Sequence, residues 1–167
     1  MHLGKVNPSG RLPISFPRCE GQLPVYYNYL PGWHGGKYID EEETPLHTFG
    51  YGLSYTDFEY TDFHVWVDDN KIKSDVKITN IGNIIGVEIP QLYVTYKNAS
   101  FVQSEKNLKA FSRVELNAKE SKVVNFEIDF SELEIVNEKC ESRFEGGTFV
   151  ISIGKNSMDL QTQEITI

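Results

Sequence analysis

Four consecutive carboxylates, Asp40-Glu41-Glu42-Glu43, are the first side chains in this sequence that could carry out chemistry. Two carboxyl groups can act as nucleophile and general acid when a pocket holds them about 5 Å apart and makes their acidities different. Neighbouring residues of an extended segment point in alternating directions and lie in water, where no pocket tunes either member of a pair. The cluster therefore indicates a solvated loop, in which Asp40 suits a turn or backbone-capping role.

The histidine, serine and cysteine residues also lack a catalytic or metal-binding pattern. His34 and His47 flank the acidic cluster, but no histidine pair has the short spacing that metal sites use. Ser54 lies in GLSYT, which lacks the second glycine of a nucleophile elbow. Cys19 and Cys140 are far apart and favour two reduced thiols, with a disulfide as the alternative in an oxidising compartment. We therefore predict no catalytic residue, no metal site and no cofactor.

Aromatic side chains in the first 40 residues suggest a binding function instead. Flat rings with a polar tip could form a platform on which sugar rings stack. The alternative, which we favour, is that these rings are buried because a proline-rich segment needs them to hold it in place. The candidate stacking residues are Tyr26, Tyr27, Tyr29, Trp33 and Tyr38.

The elements that must position these side chains change in character near residue 56. Prolines and glycines interrupt residues 1–56 so often that no helix of ordinary length fits, and we predict an extended arm. Within the arm, Arg11 to Phe16 is predicted as a short strand and Leu23 to Tyr29 as a second extended piece. The sequence at residues 45–56, PLHTFGYGLSYT, predicts a packed junction whose aromatic and leucine side chains contact the following domain. The junction residues are Phe49, Gly50, Tyr51, Gly52, Leu53 and Tyr55.

Residues 57–167 show short segments of period two separated by turn residues. A change of phase at Thr61-Asp62 predicts a β-bulge in the first segment. Seven such segments predict an all-β domain, a seven-stranded antiparallel sandwich of the immunoglobulin or fibronectin type III kind. Residues 131–147 are predicted to be an acidic excursion between strands.

Charge and hydropathy exclude several partners. The 167 residues carry a net charge of -8 and no basic run, so a nucleic-acid partner is not expected. No apolar stretch is long enough for a membrane helix, and no signal peptide is recognisable, so we expect a cytoplasmic protein without a membrane partner.

Several motifs in one order resemble the C-terminal region of family 3 glycoside hydrolases of the β-glucosidase and β-xylosidase type. NPSGRLPISFPR and PLHTFGYGLSYT resemble the end of an α/β domain and its link to a fibronectin-like domain. ITNIGNIIGVEIPQLYV, KNLKAFSRVEL and GTFVISIGKNS resemble the fibronectin-like domain itself. Gln103-Ser104 depart from the family, which usually has Arg-Pro at this point.

The resemblance implies a detached, non-catalytic part of such an enzyme with a structural, domain-docking role. Its partners would be the catalytic domains of a family 3 glycosidase, in cis in relatives or in trans here. The alternative function is an independent carbohydrate-binding module that uses the aromatic residues of the arm. The strand at Arg11 to Phe16 would lack its parallel sheet, so we expect residues 1 to about 30 to form a homodimer or to lie extended and mobile.

Overall fold

The computed structural model describes residues 4–32 and 42–167, and the regular secondary structure of these residues is almost entirely β. Two 3-10 turns, Glu20–Gln22 and Phe130–Leu133, are the helical elements of this part of the chain. Its strands are β1 (Phe58–Asp68), β2 (Lys71–Asn80), β3 (Gly86–Glu88), β4 (Gln91–Tyr96), β5 (Asn107–Phe111), β6 (Val114–Leu116), β7 (Ser121–Asp129), β8 (Ile135–Val136), β9 (Ser142–Arg143), β10 (Thr148–Gly154) and β11 (Leu160–Thr166). No helix within the described ranges is long and apolar enough to cross a membrane.

Two antiparallel sheets form the sandwich. One has the strand order β1-β2-β7 and the other the order β11-β10-β4-β5. Two further two-stranded sheets pair β3 with β6 and β8 with β9. The prediction of an all-β antiparallel sandwich is confirmed.

The first hairpin shows how local sequence sets the register. Asp69 and Asn70 connect β1 to β2 and both have positive φ, 50° and 58°, which matches the right-handed twist of the flanking strands. The register shifts between Thr61 and His64, and Asp62 within this shift has φ of 53°. The bulge predicted at Thr61-Asp62 is confirmed.

The seven predicted segments correspond to nine of the strands. Pro90 cannot donate to a ladder and separates β3 from β4, which then join different sheets. The period-two segment predicted from Leu108 to Leu116 likewise contains two strands, β5 and β6. The acidic excursion at 131–147 carries the short pair β8 and β9.

Alternation along the strands builds the core between the two sheets. Val124, Phe126 and Ile128 of β7 point inward and are buried, whereas the residues that alternate with them are exposed. The inward residues of both sheets form one cluster of buried side chains. It includes Phe58, Phe63, Ile72, Val76, Ile78, Leu92, Leu116, Phe149, Ile151 and Ile153.

Side-chain amides join the edges of the two sheets. Gln161 Nε2 of β11 donates to the backbone carbonyl of Tyr60 at 2.7 Å, and Gln163 Nε2 donates to that of Phe63. Both carbonyls belong to β1: that of Tyr60 lies just before the register shift and that of Phe63 lies within it. The outer edge of β1 is therefore capped by glutamine side chains of the opposite sheet.

The arm differs from its prediction, because neither Arg11–Phe16 nor Leu23–Tyr29 forms a regular strand. The backbone of Leu12 exchanges 2.8 Å hydrogen bonds with residues 50 and 51, and Phe16 forms an isolated bridge with His47. The arm thus pairs with the junction of its own chain. These intrachain hydrogen bonds hold the described part of residues 1–30 to the rest of the chain without a second copy.

The junction residues divide into two groups. The ring of Phe49 stacks on Tyr27 at 4.2 Å, and that of Tyr51 stacks on His47 at 4.6 Å. Leu53 and Tyr55, by contrast, are exposed, 66% and 56% respectively. The expectation that all four pack on the sandwich is wrong for these two, because their segment lies at the surface beside the arm. Gly50 is buried, and Gly52 faces the carbonyl oxygen of Gly10 so closely that a Cβ would lie 2.3 Å from it.

We expect Phe49→Ala to lower the free energy of unfolding by about 2–3 kcal/mol, because the half-buried ring stacks on Tyr27 and its removal would leave a gap there. The matched control is Leu53→Ala in the same segment, which should change it by less than about 0.5 kcal/mol. Urea denaturation followed by circular dichroism measures both. Equal effects of the two substitutions would contradict this division of the junction.

Candidate functional site

A buried ion pair fastens the arm to the sandwich. The guanidinium of Arg11 donates to Glu88 Oε2 at 2.6 Å, and the side chains are 10% and 1% exposed. The hydroxyl of Tyr60 donates to the other oxygen of Glu88 at 2.9 Å. Burial, followed by the charge of Glu88, raises the pKa of Tyr60 far above its usual range, so its hydroxyl remains a donor. Glu88 is thereby satisfied by two elements far apart in sequence.

Asn7 makes a second attachment of the arm. Its amide nitrogen donates to the carbonyl of Ile85 at 3.1 Å, at the start of the small sheet. Its amide oxygen accepts from Ser54 Oγ at 3.0 Å and from the backbone N–H of Tyr55 at 2.8 Å. Ser54 therefore has a structural partner, and the arm, the junction and the sandwich meet at one side chain.

Gln22, a buried polar residue, organises the middle of the arm. Its amide nitrogen lies 3.1–3.3 Å from the carbonyl oxygens of Glu42, Glu43 and Thr44. Its amide oxygen accepts from the backbone N–H of Arg18 at 2.7 Å. The 3-10 turn Glu20–Gln22 places this side chain between two passes of the arm and fixes their spacing.

Tyrosines attach the arm to β5. The ring of Tyr27 meets Phe49 face to face and Tyr93 edge to face, and the backbone N–H of Leu108 donates to its hydroxyl at 3.4 Å. The carbonyl of Tyr29 accepts from the N–H of Glu105 at 2.9 Å. Residues 27–29 therefore run beside residues 105–108.

A cleft of about 270 Å³ lies between the arm and the sandwich at this point. Two exposed rings line it, those of Tyr26 and Tyr29, together with the charged side chains of Glu43 and Lys106. Lys106 Nζ donates to the carbonyl of Ser157 at 2.8 Å. Burial lowers the pKa of Lys106, against the opposing charge of Glu105. No carboxylate of the described residues lies within ion-pair distance of this ammonium group. The other described residues of the cleft wall are Ser15, Gln22, Pro24, Val25, Tyr27, Thr44, Pro45, Thr48, Ser157 and Met158.

Among residues 4–32 and 42–167, the carboxylates show no arrangement of a nucleophile with a general acid. Glu42 is exposed and pairs with Arg18 at 2.6 Å, while Asp40 and Glu41 lie outside the described residues. A second, more open groove contains Glu59 and Asp159, both exposed to water. Glu88 is the one buried acid of the described ranges, and it is fully engaged.

The described metal-ligand and thiol candidates form no cluster either. Within residues 4–32 and 42–167, no group of histidine, cysteine and acidic side chains could hold a metal ion. His47 stacks on Tyr51, and His34 lies outside the described residues. Cys19 and Cys140 are both exposed free thiols, so they form no disulfide here.

The predicted stacking residues are brought together only in part. Tyr26 and Tyr29 line the cleft with exposed rings, whereas Tyr27 turns its ring to Phe49. Trp33 and Tyr38 lie outside the described residues. The Arg11–Glu88 pair, Gln22 and Lys106 were not predicted from the sequence. Arg11 is the one charged residue between Pro8 and Pro17, and this isolation was the only sequence signal available for it.

Comparisons with known proteins agree with this architecture. The model of the glycosyl hydrolase family 3 C-terminal domain matches residues 3–55, and that of the fibronectin type III-like domain matches residues 88–157. A β-xylosidase of Formosa agariphila is 41% identical over 98% of this chain and 24% of its own length. A periplasmic β-glucosidase of Salmonella typhimurium is 39% identical over 92% of this chain and 22% of its own length.

Solved structures show the same likeness. A β-glucosidase involved in saponin metabolism from intestinal bacteria superposes with a TM-score of 0.92 at 40% identity, over 99% of this chain and 23% of that one. A β-glucosidase from Listeria innocua with gluconolactone gives a TM-score of 0.87 at 33% identity, over 98% and 24%.

The sandwich with its fastened arm defines an all-β fibronectin-like domain with a preceding linker. The chain belongs to glycoside hydrolase family 3 and corresponds to the C-terminal region of its β-glucosidases and β-xylosidases. It spans about a quarter of the length of the relatives that it matches, in which this region is a small part of a longer chain.

Proposed function

We propose that this chain is a non-catalytic docking region of a β-glucosidase- or β-xylosidase-type hydrolase. It packs against the catalytic part through the surface of its arm. The observation that carries the proposal is a set of large apolar side chains that stay exposed although the arm is firmly fastened to the sandwich. We call these side chains the arm surface: Val6, Ile14, Phe16, Leu46, Leu53 and Tyr55.

The arm surface is unusual because its backbone has a conformation fixed by the sandwich. Arg11 and Asn7 hold one end to Glu88 and Ile85, and Phe16 is bridged to His47. Burying these apolar groups would require almost no further ordering of the chain, so association would lose little conformational entropy. Contiguous exposed apolar surface on an ordered segment is typical of an interface.

An open backbone edge accompanies the apolar side chains. Leu12 and Phe16 use their hydrogen-bonding groups for the junction, but the N–H groups of Ile14 and Ser15 have no partner among the described residues. The chain bends at Pro13 and Ile14, and unpaired backbone donors at such an exposed position favour a backbone acceptor from a neighbouring segment. A strand supplied by the catalytic part would satisfy them.

A chimera tests this proposal. The matching region of the Formosa agariphila β-xylosidase would be replaced by this chain, and unfolding and hydrolysis of an aryl β-xyloside would be measured. We expect Ile14→Asp to destabilise the chimera by about 2 kcal/mol, because a carboxylate would be buried at the interface. In the isolated chain, where Ile14 is 58% exposed, the same change should be neutral. The isolated chain should not hydrolyse aryl β-glucosides or β-xylosides.

Val123→Asp is the matched control, since Val123 is 59% exposed on β7 of the sandwich. It should leave both the chimera and the isolated chain unchanged. If Ile14→Asp had the same small effect as Val123→Asp in the chimera, the arm surface would not be an interface. Hydrolysis by the isolated chain that survives repurification would contradict a non-catalytic function.

The same surface supports the finer parts of the proposal. A catalytic part supplied by a separate chain would dock through the same contacts in trans. In the competing arrangement, a second copy of this chain pairs with the unpaired backbone groups of the arm to form a homodimer. Light scattering measures the molar mass of the isolated chain. We expect the mass of a monomer, whereas a homodimer would give twice that mass. The cytoplasmic location also remains a proposal, which fits two free, exposed thiols.

A further inference from the structure

We propose that the cleft between the arm and the sandwich binds one ring of a neutral saccharide. The inference rests on the cleft's own side chains and does not depend on docking through the arm surface. Its wall combines the exposed rings of Tyr26 and Tyr29 with one cationic and one anionic group, Lys106 and Glu43.

The cleft is built on ordered elements. Gln22 holds the backbone of residues 42–44 in place, and the hydrogen bond from Glu105 to the carbonyl of Tyr29 fixes that tyrosine beside Lys106. The stacking of Tyr27 on Phe49 supports the wall from behind. A binding site whose walls are already fixed loses little entropy when a ligand enters.

The chemistry of the wall selects the class of ligand. A half-buried ammonium group without a carboxylate partner favours an acceptor, and the carboxylate of Glu43 favours a donor. A sugar hydroxyl can be either. A strongly charged ligand would be repelled by one of the two groups, and a purely apolar one would leave both unsatisfied. A pyranose satisfies both groups and offers a C–H face to the tyrosine rings.

The size of the cleft limits the ligand to a small unit. The cleft's volume of about 270 Å³ lies just below the range of about 300–1,000 Å³ that is usual for small-molecule sites. This volume suits a single ring and not a disaccharide buried lengthwise. The ring can be a free monosaccharide or the end of a longer chain.

Isothermal titration and NMR chemical-shift mapping on the isolated chain test the site. The probes are glucose, xylose, and the cello- and xylo-oligosaccharides of two to four units. We expect weak binding that Tyr29→Ala and Lys106→Met each reduce about fivefold or more, with shift changes at residues 26–29 and 105–106. An affinity that rises with oligosaccharide length would indicate that the site binds the end of a longer chain. An affinity for monosaccharides equal to that for oligosaccharides would indicate that it binds a free sugar. Both results would support the proposal.

Tyr55→Ala is the matched control for Tyr29→Ala, because Tyr55 is also an exposed tyrosine, 56% against 42% for Tyr29, but lies outside the cleft. It should leave sugar affinity unchanged, and each variant is first checked for an unchanged unfolding midpoint. No binding by any probe would overturn the proposal. Binding that Tyr55→Ala weakens as much as Tyr29→Ala would overturn it as well. Failure here leaves docking through the arm surface intact, since the Ile14→Asp chimera measures that separately.

Discussion

Replacing Glu88 with alanine is expected to lower the free energy of unfolding by about 3–5 kcal/mol, the largest effect of any single charge in the described chain. The carboxylate is 1% exposed and accepts from Arg11 at 2.6 Å and from Tyr60 at 2.9 Å. Its removal leaves the guanidinium of Arg11 buried without its counter-charge and the tyrosine hydroxyl without its acceptor. Urea denaturation measures the loss.

Glu164→Ala provides the control, because Glu164 pairs with Lys97 at the exposed edge of the sandwich. An exposed ion pair of this kind contributes about 0–1 kcal/mol, so the control should be nearly neutral. The double variant Arg11→Met with Glu88→Leu should be more stable than Glu88→Ala, since it removes both buried charges together. A cost for Glu88→Ala no greater than that for Glu164→Ala would show that the pair does not fasten the arm.

The second large effect is expected for Gly50→Ala, at about 3 kcal/mol. Gly50 has φ of 80°, and a Cβ there would lie 2.0 Å from Gln91 Oε1. The side chain of Gln91 cannot move away freely, because it donates to the carbonyls of Gly50 and Lys155 and accepts from the hydroxyl of Tyr93 at 2.6 Å. The substitution therefore adds backbone strain and breaks a buried hydrogen-bond network.

Gly32→Ala separates these two contributions. Gly32 also has φ of 80°, but no atom of the described residues lies within 4 Å of its Cβ position. Strain alone should then cost about 1 kcal/mol. Thermal and urea unfolding of the two variants measure the difference. If Gly50→Ala and Gly32→Ala lowered the free energy of unfolding equally, backbone strain would explain the whole effect, and the hydrogen-bond network around Gln91 would add nothing to it.

The sandwich was predictable because its signals are local. Strict alternation in Val124, Phe126 and Ile128 identifies the buried face of β7 without knowledge of its neighbours. The bulge at Asp62 was also visible, as a change of phase within one strand. In both cases the pattern lies within ten residues, so pairing partners were not needed to recognise it.

The arm and its cleft were less predictable because their contacts join distant positions. Arg11 and Glu88 are 77 residues apart, and Tyr27 meets Leu108 across 81. No periodicity marks such pairs. The strand predicted at Arg11 to Phe16 failed because Pro13 has no N–H and the junction pairs only with Leu12 and Phe16. Which arm side chains are buried depends on how the arm lies on the sandwich, and Leu53 and Tyr55 are exposed in this arrangement.

The glutamine caps on β1 have a consequence for how this protein behaves at high concentration. An outer strand with free carbonyls is a template on which further chains can add and grow into fibrils. At the bulge of β1 the carbonyls of Tyr60 and Phe63 are occupied by Gln161 and Gln163, so an incoming strand finds no acceptors there. Growth by strand addition is thereby blocked beside the bulge, while the arm keeps its open edge at Ile14 and Ser15.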